Sequence, residues 1–338
     1  MSQSENNSKT WSEWHNRLHK TLKNKKHLLP KEASLLLAVS GGQDSMALTK
    51  LILDLQKLYK WELHVWHGDH GWHKDSTKFA KELKDWCEQN NLNFYSEKAC
   101  IDEIKNEEAA RNWRYQALTK KAEDLSKETY LNPLHHIVTG HTGSDRAETV
   151  LINLARGTHL KGLSSLKESR AIKGTIKVIR PLLCFSRSET AKICSDMNLP
   201  VWVDPSNKED YFTRNKIRKN VIPIFEELYP GSSMRISSLS GRLASFNDDQ
   251  VALTSLAIES LTTSEGLCRE KLYKISNSVR SNILAQWLGE RGAPNINAIL
   301  IEELSRVIGK GEPPGTRFLS KGWKILWTKY SIKLLEPS

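Results

Sequence analysis

Residues 35–48 read LLLAVSGGQDSMAL, in which an apolar run meets a polar turn and then a second apolar segment. The run from Ser34 to Val39 has the length and composition of a buried strand, and Met46 to Leu58 carries apolar residues at helical spacing. This stretch therefore predicts a strand that ends in a tight turn and passes directly into a helix.

The turn itself has the composition of a phosphate-binding loop. Its two glycines let backbone N–H groups approach phosphate oxygens, while the helix start and two serine hydroxyls add further donors. No Lys follows the glycines, so the loop is not a Walker A motif. The residues predicted to hold phosphates are Ser40, Gly41, Gly42, Gln43, Asp44 and Ser45.

Asp44 needs its own explanation, because its negatively charged carboxylate would repel a bound phosphate unless a cation lay between the two groups. Asp44 therefore predicts a bound Mg²⁺. In the simpler alternative Asp44 only stabilises the helix start of a tight turn, which accounts neither for both glycines nor for both serines.

Outward from this loop, short apolar strands alternate with amphipathic helices. Further strands are predicted at Glu62 to Trp66, Ile137 to Thr139 and Thr175 to Ile179. The alternation is typical of an α/β fold, a parallel twisted sheet with helices on both faces. Ligands of such sheets bind beyond the carboxyl ends of the strands, so polar motifs that follow strands carry the most weight.

The pattern changes after about Pro230, where the Ser-rich stretch GSSMRISSLSG leads into mainly helical segments. We predict a flexible N-terminal tail over residues 1–20, the α/β domain over 21–230, and a smaller, mainly helical domain over 231–338 that closes with a hairpin. The hairpin mixes Lys and Arg with Trp and Tyr, which either contact nucleic acid or form the core of the small domain.

Composition limits the class of function. Fifty Lys and Arg against 39 Asp and Glu give a formal charge of +11, which suits a polyanionic partner but also an ordinary basic protein. No apolar run approaches the roughly 20 residues of a membrane span, and the first residues lack a secretory signal, so we expect a cytoplasmic protein without membrane contact. The five cysteines form no C-x-x-C pair and are expected to be buried free thiols.

Two motifs supply further polar side chains. HGDHGWHKDS directly follows the second strand and provides Asp69 and His70, either for a ligand or as part of a solvated loop. EAARNWRYQAL places Arg111 and Arg114 three residues apart on one helix face, where they either bind phosphate or pair with neighbouring glutamates.

IVTGHTGSDRAETVLINLARG combines a strand, a turn and a helix. The residues that its helix is predicted to bury are Ala147, Val150, Leu151 and Leu154. His141 and Asp145 then face the ligand or the solvent, although Asp145 also fits a capping box with Glu148. A later basic cluster, suited to phosphate or simply to a solvated helix face, consists of Arg214, Asn215 and Arg218.

Taken in order, these segments resemble the tRNA(Ile)-lysidine synthase family of the PP-loop ATP pyrophosphatases. The resemblance covers about residues 35–230 and rests on S-G-G-x-D-S, H-x-D-H-G, A-R-x-x-R-Y, G-H-x-x-x-D-x-x-E-T, R-P-L-L and D-P-S-N followed by T-R-N-x-I-R. Members of this superfamily cleave ATP between the α and β phosphates and adenylate a substrate.

The resemblance implies a two-step reaction. The wobble cytidine of the isoleucine tRNA with a CAU anticodon is adenylated at its C2 oxygen, and the amine of free L-lysine then displaces AMP. The resemblance also implies ATP and Mg²⁺ as cofactors and a grip on the tRNA by residues 231–338, and it is compatible with a homodimer.

The resemblance distributes roles among the candidate residues. Ser40 to Ser45 would hold the ATP phosphates, while Arg111 and Arg214 would offset charge on the departing pyrophosphate. Asp145, with Asp69 as the second candidate, would position the lysine amine and help remove its proton. The residues expected at the substrate or the tRNA are His70, Arg114, His141, Asn215 and Arg218.

One departure from the family lies in the fourth motif. Where the family has two adjacent acidic residues, this chain has Ser144 and Asp145, and Arg146 replaces a usual Gln. A different amine is therefore left open. So are two further alternatives, another PP-loop tRNA-modifying enzyme and a non-catalytic tRNA-binding protein with a degenerate nucleotide loop.

Overall fold

The apolar segments of the chain form two units, Met1–Ala244 and Ser245–Ser338. The computed structural model describes residues 11–69, 71, 76–100, 106–128, 132–202, 213–309 and 311–337. In chain order the elements are α1 (Glu13–Asn24), β1 (Ser34–Ala38), α2 (Gln43–Tyr59), β2 (Glu62–Asp69), α3 (Ser76–Gln89), β3 (Asn93–Lys98), α4 (Glu107–Glu128), β4 (His136–Thr139), α5 (Gly143–Ala155), α6 (Leu160–Leu163), β5 (Ser169–Lys173), β6 (Ile176–Ile179), α7 (Arg187–Asp196), α8 (Thr213–Lys216), α9 (Ile222–Leu228), α10 (Ser232–Leu261), β7 (Thr262–Thr263), β8 (Gly266–Cys268), α11 (Arg269–Tyr273), α12 (Asn277–Glu290), α13 (Ala298–Val307), β9 (Gly315–Phe318), β10 (Lys324–Trp327) and β11 (Ser331–Leu335).

The first unit contains a six-stranded sheet in the order β3-β2-β1-β4-β6-β5. The strands from β3 to β6 run parallel, and β5 joins the edge antiparallel to β6. Leu35, Leu36 and Leu37 of the central strand β1 are fully buried, as expected for a continuous apolar run covered on both faces. The predicted parallel α/β fold is confirmed.

Helices cover the two faces of this sheet with separate hydrophobic cores. Leu35 and Leu37 pack into one core with residues of α1, α2, α3 and α7. Leu36 points to the opposite face, where it packs with Trp66 and with Leu118 of α4. This alternation follows from the two-residue period of a strand.

The strand order places a crevice between β1 and β4. From β1 the chain proceeds outward through β2 and β3 on one side, whereas β4, β6 and β5 lie on the other. Such a switch point leaves the loops after the two neighbouring strands free to flank a ligand. The S-G-G-Q-D-S loop follows β1, and the G-H-T-G-S-D turn follows β4.

The second unit holds a five-stranded antiparallel sheet in the order β7-β8-β11-β10-β9. The predicted hairpin is confirmed as β10 and β11, with Trp327 opposite Ile332, but it belongs to this larger sheet. Trp327 lies in the core of the unit with Trp287 and Ile325, whereas Tyr330 is exposed. Of the hairpin aromatics, Trp327 therefore forms part of the core, whereas Tyr330 remains accessible for contact with nucleic acid.

The start of the chain departs from the predicted tail over residues 1–20. Helix α1 begins at Glu13 and buries Trp14, Leu18 and Leu22, whose spacing of four residues places them on one helix face. Only residues 1–10 of the predicted tail lie outside the described part of the chain.

Two expectations about burial also need correction. On α5, Ala147 and Val150 are buried as predicted, but Leu154 is 59% exposed. All five cysteines are free as expected, but only Cys87 and Cys194 are buried, whereas Cys184 and Cys268 are half-buried and Cys100 is exposed. None of the helices in the described ranges is both long and apolar enough to cross a membrane.

Candidate active site

A cavity of about 470 Å³ lies at the carboxyl ends of β1, β2 and β4. The predicted residues that line it are Ser40, Gly42, Gln43, Asp44, Ser45, Asp69, Arg114, His141, Asp145, Arg214, Asn215 and Arg218. Residues from motifs that lie far apart in the sequence therefore meet at the crevice that the strand order creates. His70 lies outside the described residues.

The loop after β1 has the backbone geometry of an anion site. Gly41 adopts a φ of +85°, and a Cβ at this position would lie 2.8 Å from the Trp202 ring, so only glycine fits here. Helix α2 begins next to it with Gly42 as the N-cap, which has no side chain to occupy the first N–H groups. These N–H groups and the Oγ atoms of Ser40 and Ser45, 3.2 Å apart, can therefore donate to phosphate oxygens.

The Asp44 carboxylate lies in the first turn of α2 and faces the cavity. Its Oδ2 is 3.1 Å from Nη1 of Arg187, and its Oδ1 accepts a hydrogen bond from the Thr190 hydroxyl. Burial raises the pKa of Asp44, with Arg187 opposing the rise and the nearby Asp145 adding to it. A half-buried carboxylate beside a phosphate-binding loop fits Mg²⁺, which proteins bind through one or two carboxylates together with substrate phosphates.

Gly140 lets the turn after β4 pack onto the start of α2. A Cβ on Gly140 would lie 2.9 Å from the carbonyl oxygen of Asp44 and 3.0 Å from Cα of Ser45. The close approach brings His141 to the cavity, where its Nδ1 lies 2.8 Å from Oγ1 of Thr139. Burial lowers the pKa of His141, so the imidazole is neutral near pH 7 and can serve as a hydrogen-bond partner rather than a cation.

Helix α5 begins about one turn earlier than predicted, so Asp145 lies in its first turn and not at its N-cap. Thr142 is the N-cap of α5, and Oδ2 of Asp145 accepts hydrogen bonds from the Thr142 N–H at 2.7 Å and from its hydroxyl at 2.8 Å. The capping box therefore pairs Thr142 with Asp145. The predicted box of Asp145 with Glu148 is wrong, because Glu148 lies within the helix and faces two arginines.

These arginines complete a four-residue ion-pair cluster, made of Asp145, Glu148, Arg214 and Arg218. Nη2 of Arg214 is 3.0 Å from Oδ1 of Asp145, and its Nε is 2.8 Å from Oε2 of Glu148. Nε of Arg218 is 2.6 Å from Oε1 of Glu148, which is only 1% exposed. The cluster therefore ties α5 to the segment that begins with α8 and forms one wall of the cavity.

The cluster also sets the charge of Asp145. Burial by itself disfavours the carboxylate, but Arg214 and the Thr142 donors outweigh it and lower the pKa of Asp145. Asp145 is therefore ionised near neutral pH and is a weak base. Such a group suits holding a cation better than it suits taking up a proton.

Asp69 stands at the end of β2 and lines another side of the cavity. Its Oδ1 accepts the Gly71 N–H at 2.7 Å. Nearby, His67 is held by a hydrogen bond from Nδ1 to the Val39 carbonyl at 2.8 Å, and burial lowers the pKa of His67. Asp69 is thus a third carboxylate in the cavity, after Asp44 and Asp145, and lies next to a neutral imidazole.

Sequence reasoning missed Arg187, whose only signal is its position after R-P-L-L. Its side chain lines the cavity and pairs with Asp44. Its backbone N–H donates to Oγ of Ser144 at 3.0 Å. Ser144, the departure from the family motif, therefore helps to place the arginine that contacts Asp44.

Arg111 is the predicted residue that the structure places elsewhere. Arg114 lines the cavity, but Arg111 lines a second cleft on the outside of α4, where its guanidinium lies 5.5 Å from the Tyr115 ring. Two side chains three residues apart share a helix face only approximately. The predicted pairing of Arg111 and Arg114 at one site is therefore not observed.

Comparison with known proteins agrees with this geometry. A family model described as a PP-loop domain matches residues 12–225. The tRNA(Ile)-lysidine synthase of one Prochlorococcus marinus strain is 52% identical over 336 residues, covering 99% of this chain and 100% of that protein. The chloroplastic tRNA(Ile)-lysidine synthase of Pyropia yezoensis is 35% identical over 289 residues, covering 85% of each chain.

Among solved structures, the U34-tRNA thiolase NcsA from Methanococcus maripaludis has a TM-score of 0.55 at 20% sequence identity, covering 69% of this chain and 78% of that one. At this identity the likeness supports the fold alone. The family is assigned from the PP-loop domain, which matches residues 12–225, and from relatives such as the Prochlorococcus marinus protein, which matches nearly the whole chain. The chain belongs to the tRNA(Ile)-lysidine synthase family of PP-loop enzymes.

Proposed function

We propose that this chain joins free lysine to C2 of the wobble cytidine in the isoleucine tRNA with a CAU anticodon, releasing AMP and pyrophosphate. The observation that carries the proposal is one cavity in which a phosphate-binding loop, two further carboxylates and a basic wall surround the carboxyl ends of the central strands. Family membership supports the same reaction.

In the first step the cytidine C2 oxygen attacks the α-phosphorus of ATP, and the bond to the β-phosphate breaks. The loop from Ser40 to Ser45 holds the β and γ phosphates through N–H and hydroxyl groups. Mg²⁺ held by Asp44 would neutralise charge on the phosphate oxygens. Arg187, which pairs with Asp44, is placed to offset charge on the departing pyrophosphate, and Arg214 at the cavity wall is a second cation for this role.

In the second step the lysine amine attacks C2, the bond from C2 to oxygen breaks, and AMP leaves. Asp145 holds the amine in its charged form, because the lowered pKa of Asp145 keeps this carboxylate ionised. The amine must lose a proton before it attacks. Asp69, which lines the same cavity, is the better candidate to accept that proton, since Asp145 is fixed by arginines.

Beyond the cavity, the proposal assigns the tRNA grip largely to the smaller domain predicted over residues 231–338. Unit Ser245–Ser338 carries exposed aromatic and basic side chains on its sheet, including Phe318 and Lys324. Such side chains can stack on bases and contact phosphates.

The decisive experiment is incorporation of radiolabelled lysine into an unmodified isoleucine tRNA transcript with a CAU anticodon, with ATP and Mg²⁺, beside a methionine tRNA control. Incorporation into the isoleucine tRNA alone supports the proposal. Pyrophosphate release that depends on tRNA but proceeds without lysine incorporation would retain adenylation and point to another amine. Loss of both activities would favour the non-catalytic tRNA-binding alternative.

A further inference from the structure

A second cleft, of about 570 Å³, lies between α4 and β5 on the first unit, and we call it the α4–β5 cleft. The basic side chains that line it are Arg111, Lys120, Arg170 and Lys173. The acidic residue of its lining is Glu123, whose Oε1 is 2.6 Å from Nζ of Lys173. The cleft therefore carries an excess of positive charge and suits an anionic ligand.

Tyr115 connects this cleft to the active site, because its side chain lines both the cleft and the cavity. The guanidinium of Arg111 lies 5.5 Å from the centre of the Tyr115 ring, and that of Arg170 lies 5.1 Å from it. Stacking on the ring holds the two guanidiniums in place, so less side-chain freedom is lost when they bind an anion. A ligand in the cleft would lie directly beside the catalytic cavity.

The spacing of the cations identifies the kind of anion. Arg111 and Lys120 are nine residues apart on α4, which corresponds to about 13.5 Å along the helix axis. One strand of a nucleic acid carries a phosphate about every 3.4 Å of its axis. Nine residues are about two and a half helical turns, so the two side chains stand at opposite edges of the helix face that lines the cleft. They are too far apart to share a single phosphate group, but together with Arg170 they can contact several phosphates of one backbone.

We propose that the α4–β5 cleft binds the phosphate backbone of the substrate tRNA and leads the strand past Tyr115 to the cavity. The inference rests on the proposed function for the identity of the RNA. Phosphate contacts fix position and orientation but carry no direct sequence information. The cleft should therefore bind isoleucine and methionine tRNAs equally, and the choice between them is made elsewhere.

The test compares tRNA binding by the full chain and by a Lys120→Gln/Arg170→Gln variant in filter binding across a salt series. Loss of two phosphate contacts should weaken binding about tenfold and reduce the slope of log K against log salt by about 1.5 to 2. Both tRNAs should be affected alike. The single variant Lys120→Gln, which leaves the Tyr115 stack untouched, should give about half of the change in slope.

The control is Lys57→Gln/Lys60→Gln, which removes the same charge from exposed lysines at the end of α2, a helix that packs on the other face of the sheet from α4. Its tRNA affinity should remain close to that of the unsubstituted chain. Unchanged affinity and slope in the cleft variant would overturn the proposal, as would an equal loss in the control. Thermal unfolding of each variant separates loss of binding from loss of folding.

Lysine incorporation by the unsubstituted chain, measured in parallel, separates this inference from the proposed function. If the chain incorporates no lysine but the cleft variant loses tRNA affinity as expected, the proposed function fails and the cleft assignment stands. If lysine is incorporated and the cleft variant binds tRNA normally, the cleft assignment alone fails.

Discussion

Asp44 illustrates how burial and position act in opposite directions on one residue. A carboxylate in the first turn of a helix is ordinarily stabilised by the helix dipole, yet burial raises the pKa of Asp44 and the nearby Asp145 adds to the rise. Arg187 offsets only part of this effect. The ionised carboxylate is therefore costly for the fold by itself, and the Mg²⁺ that we propose at this residue would offset that cost.

The first prediction follows from this cost. Asp44→Asn should reduce tRNA-dependent pyrophosphate release roughly 100-fold, about 3 kcal/mol of transition-state stabilisation, because the proposed Mg²⁺ would lose its protein ligand. Its tRNA affinity should not fall, because no positive charge is removed. The matched control is Asp85→Asn on the exposed face of α3. Pyrophosphate release at the rate of the unsubstituted chain would exclude a catalytic role for Asp44.

The second prediction concerns His136 at the start of β4. Burial, with the neighbouring His135 and Lys177, lowers the pKa of His136 to about 4. Because this value lies below the ordinary 6.5, the group contributes stability that is present above about pH 6.5 and is lost as the pH falls towards 4. His136→Gln should therefore flatten the decline in the free energy of unfolding over this range, as measured by urea denaturation at several pH values. If the free energy of unfolding fell equally with pH in the variant and in the unsubstituted chain, His136 would not be the source of the decline.

At the scale of elements, the β1–α2 segment and helix α5 show the difference between what the sequence could and could not predict about the site. The segment from β1 to α2 is local, since the strand, the turn and the helix start all lie within residues 34–59. The structure places its loop at a cavity, while binding of phosphates there stays a prediction. The buried face of helix α5 was predicted only in part, because Arg146 and Glu148 are buried and Leu154 is exposed. Their partners are distant in sequence, including the Leu166 carbonyl at 3.1 Å from Nε of Arg146, and periodicity within one helix does not report such contacts.

The third prediction tests the ion-pair cluster that joins α5 to α8. Glu148→Gln leaves two arginines close together without their main buried partner, so the free energy of unfolding should fall by about 2–4 kcal/mol, as judged by urea denaturation. A double-mutant cycle with Arg218→Gln should recover part of this loss, because the surplus positive charge is then removed.

The control for the cluster is Glu32→Gln, which breaks an exposed pair with Lys60. Its unfolding midpoint should stay unchanged, because solvent screens such pairs. If Glu148→Gln behaved in the same way, the cluster would not hold the two elements together.

At the scale of the whole molecule, the chain forms two units, each with its own hydrophobic core. Every residue that lines the cavity or the α4–β5 cleft lies between positions 38 and 218 of the first unit. Composition suited a polyanionic partner and an ordinary basic protein alike, and the aromatic side chains of the hairpin could have served either nucleic-acid contact or the core of the small domain. The face of each aromatic was not predictable, because the strand register decides that Trp327 points into the core while Phe318, opposite Lys324, is 68% exposed.

The fourth prediction tests the role of this second sheet. In the full chain, Phe318→Ser/Lys324→Gln should weaken tRNA binding about 10- to 100-fold, because a stacked base is worth roughly 1–3 kcal/mol and one phosphate contact is lost as well. Nζ of Lys324 lies 5.3 Å from the Phe318 ring, so the two side chains form one surface. ATP affinity, measured by calorimetry, should be unchanged, since the cavity belongs entirely to the first unit.

The matched control is Ile299→Ser/Lys274→Gln, which removes an exposed apolar side chain and an exposed lysine from helical parts of the same unit. Because the control removes the same formal charge and also an exposed apolar side chain, a loss confined to the sheet variant would assign tRNA binding to that sheet face rather than to the net charge of +11. Equal losses in the two variants would leave only the unspecific attraction of a basic protein for RNA. The first unit would then have to supply the specific grip on the tRNA.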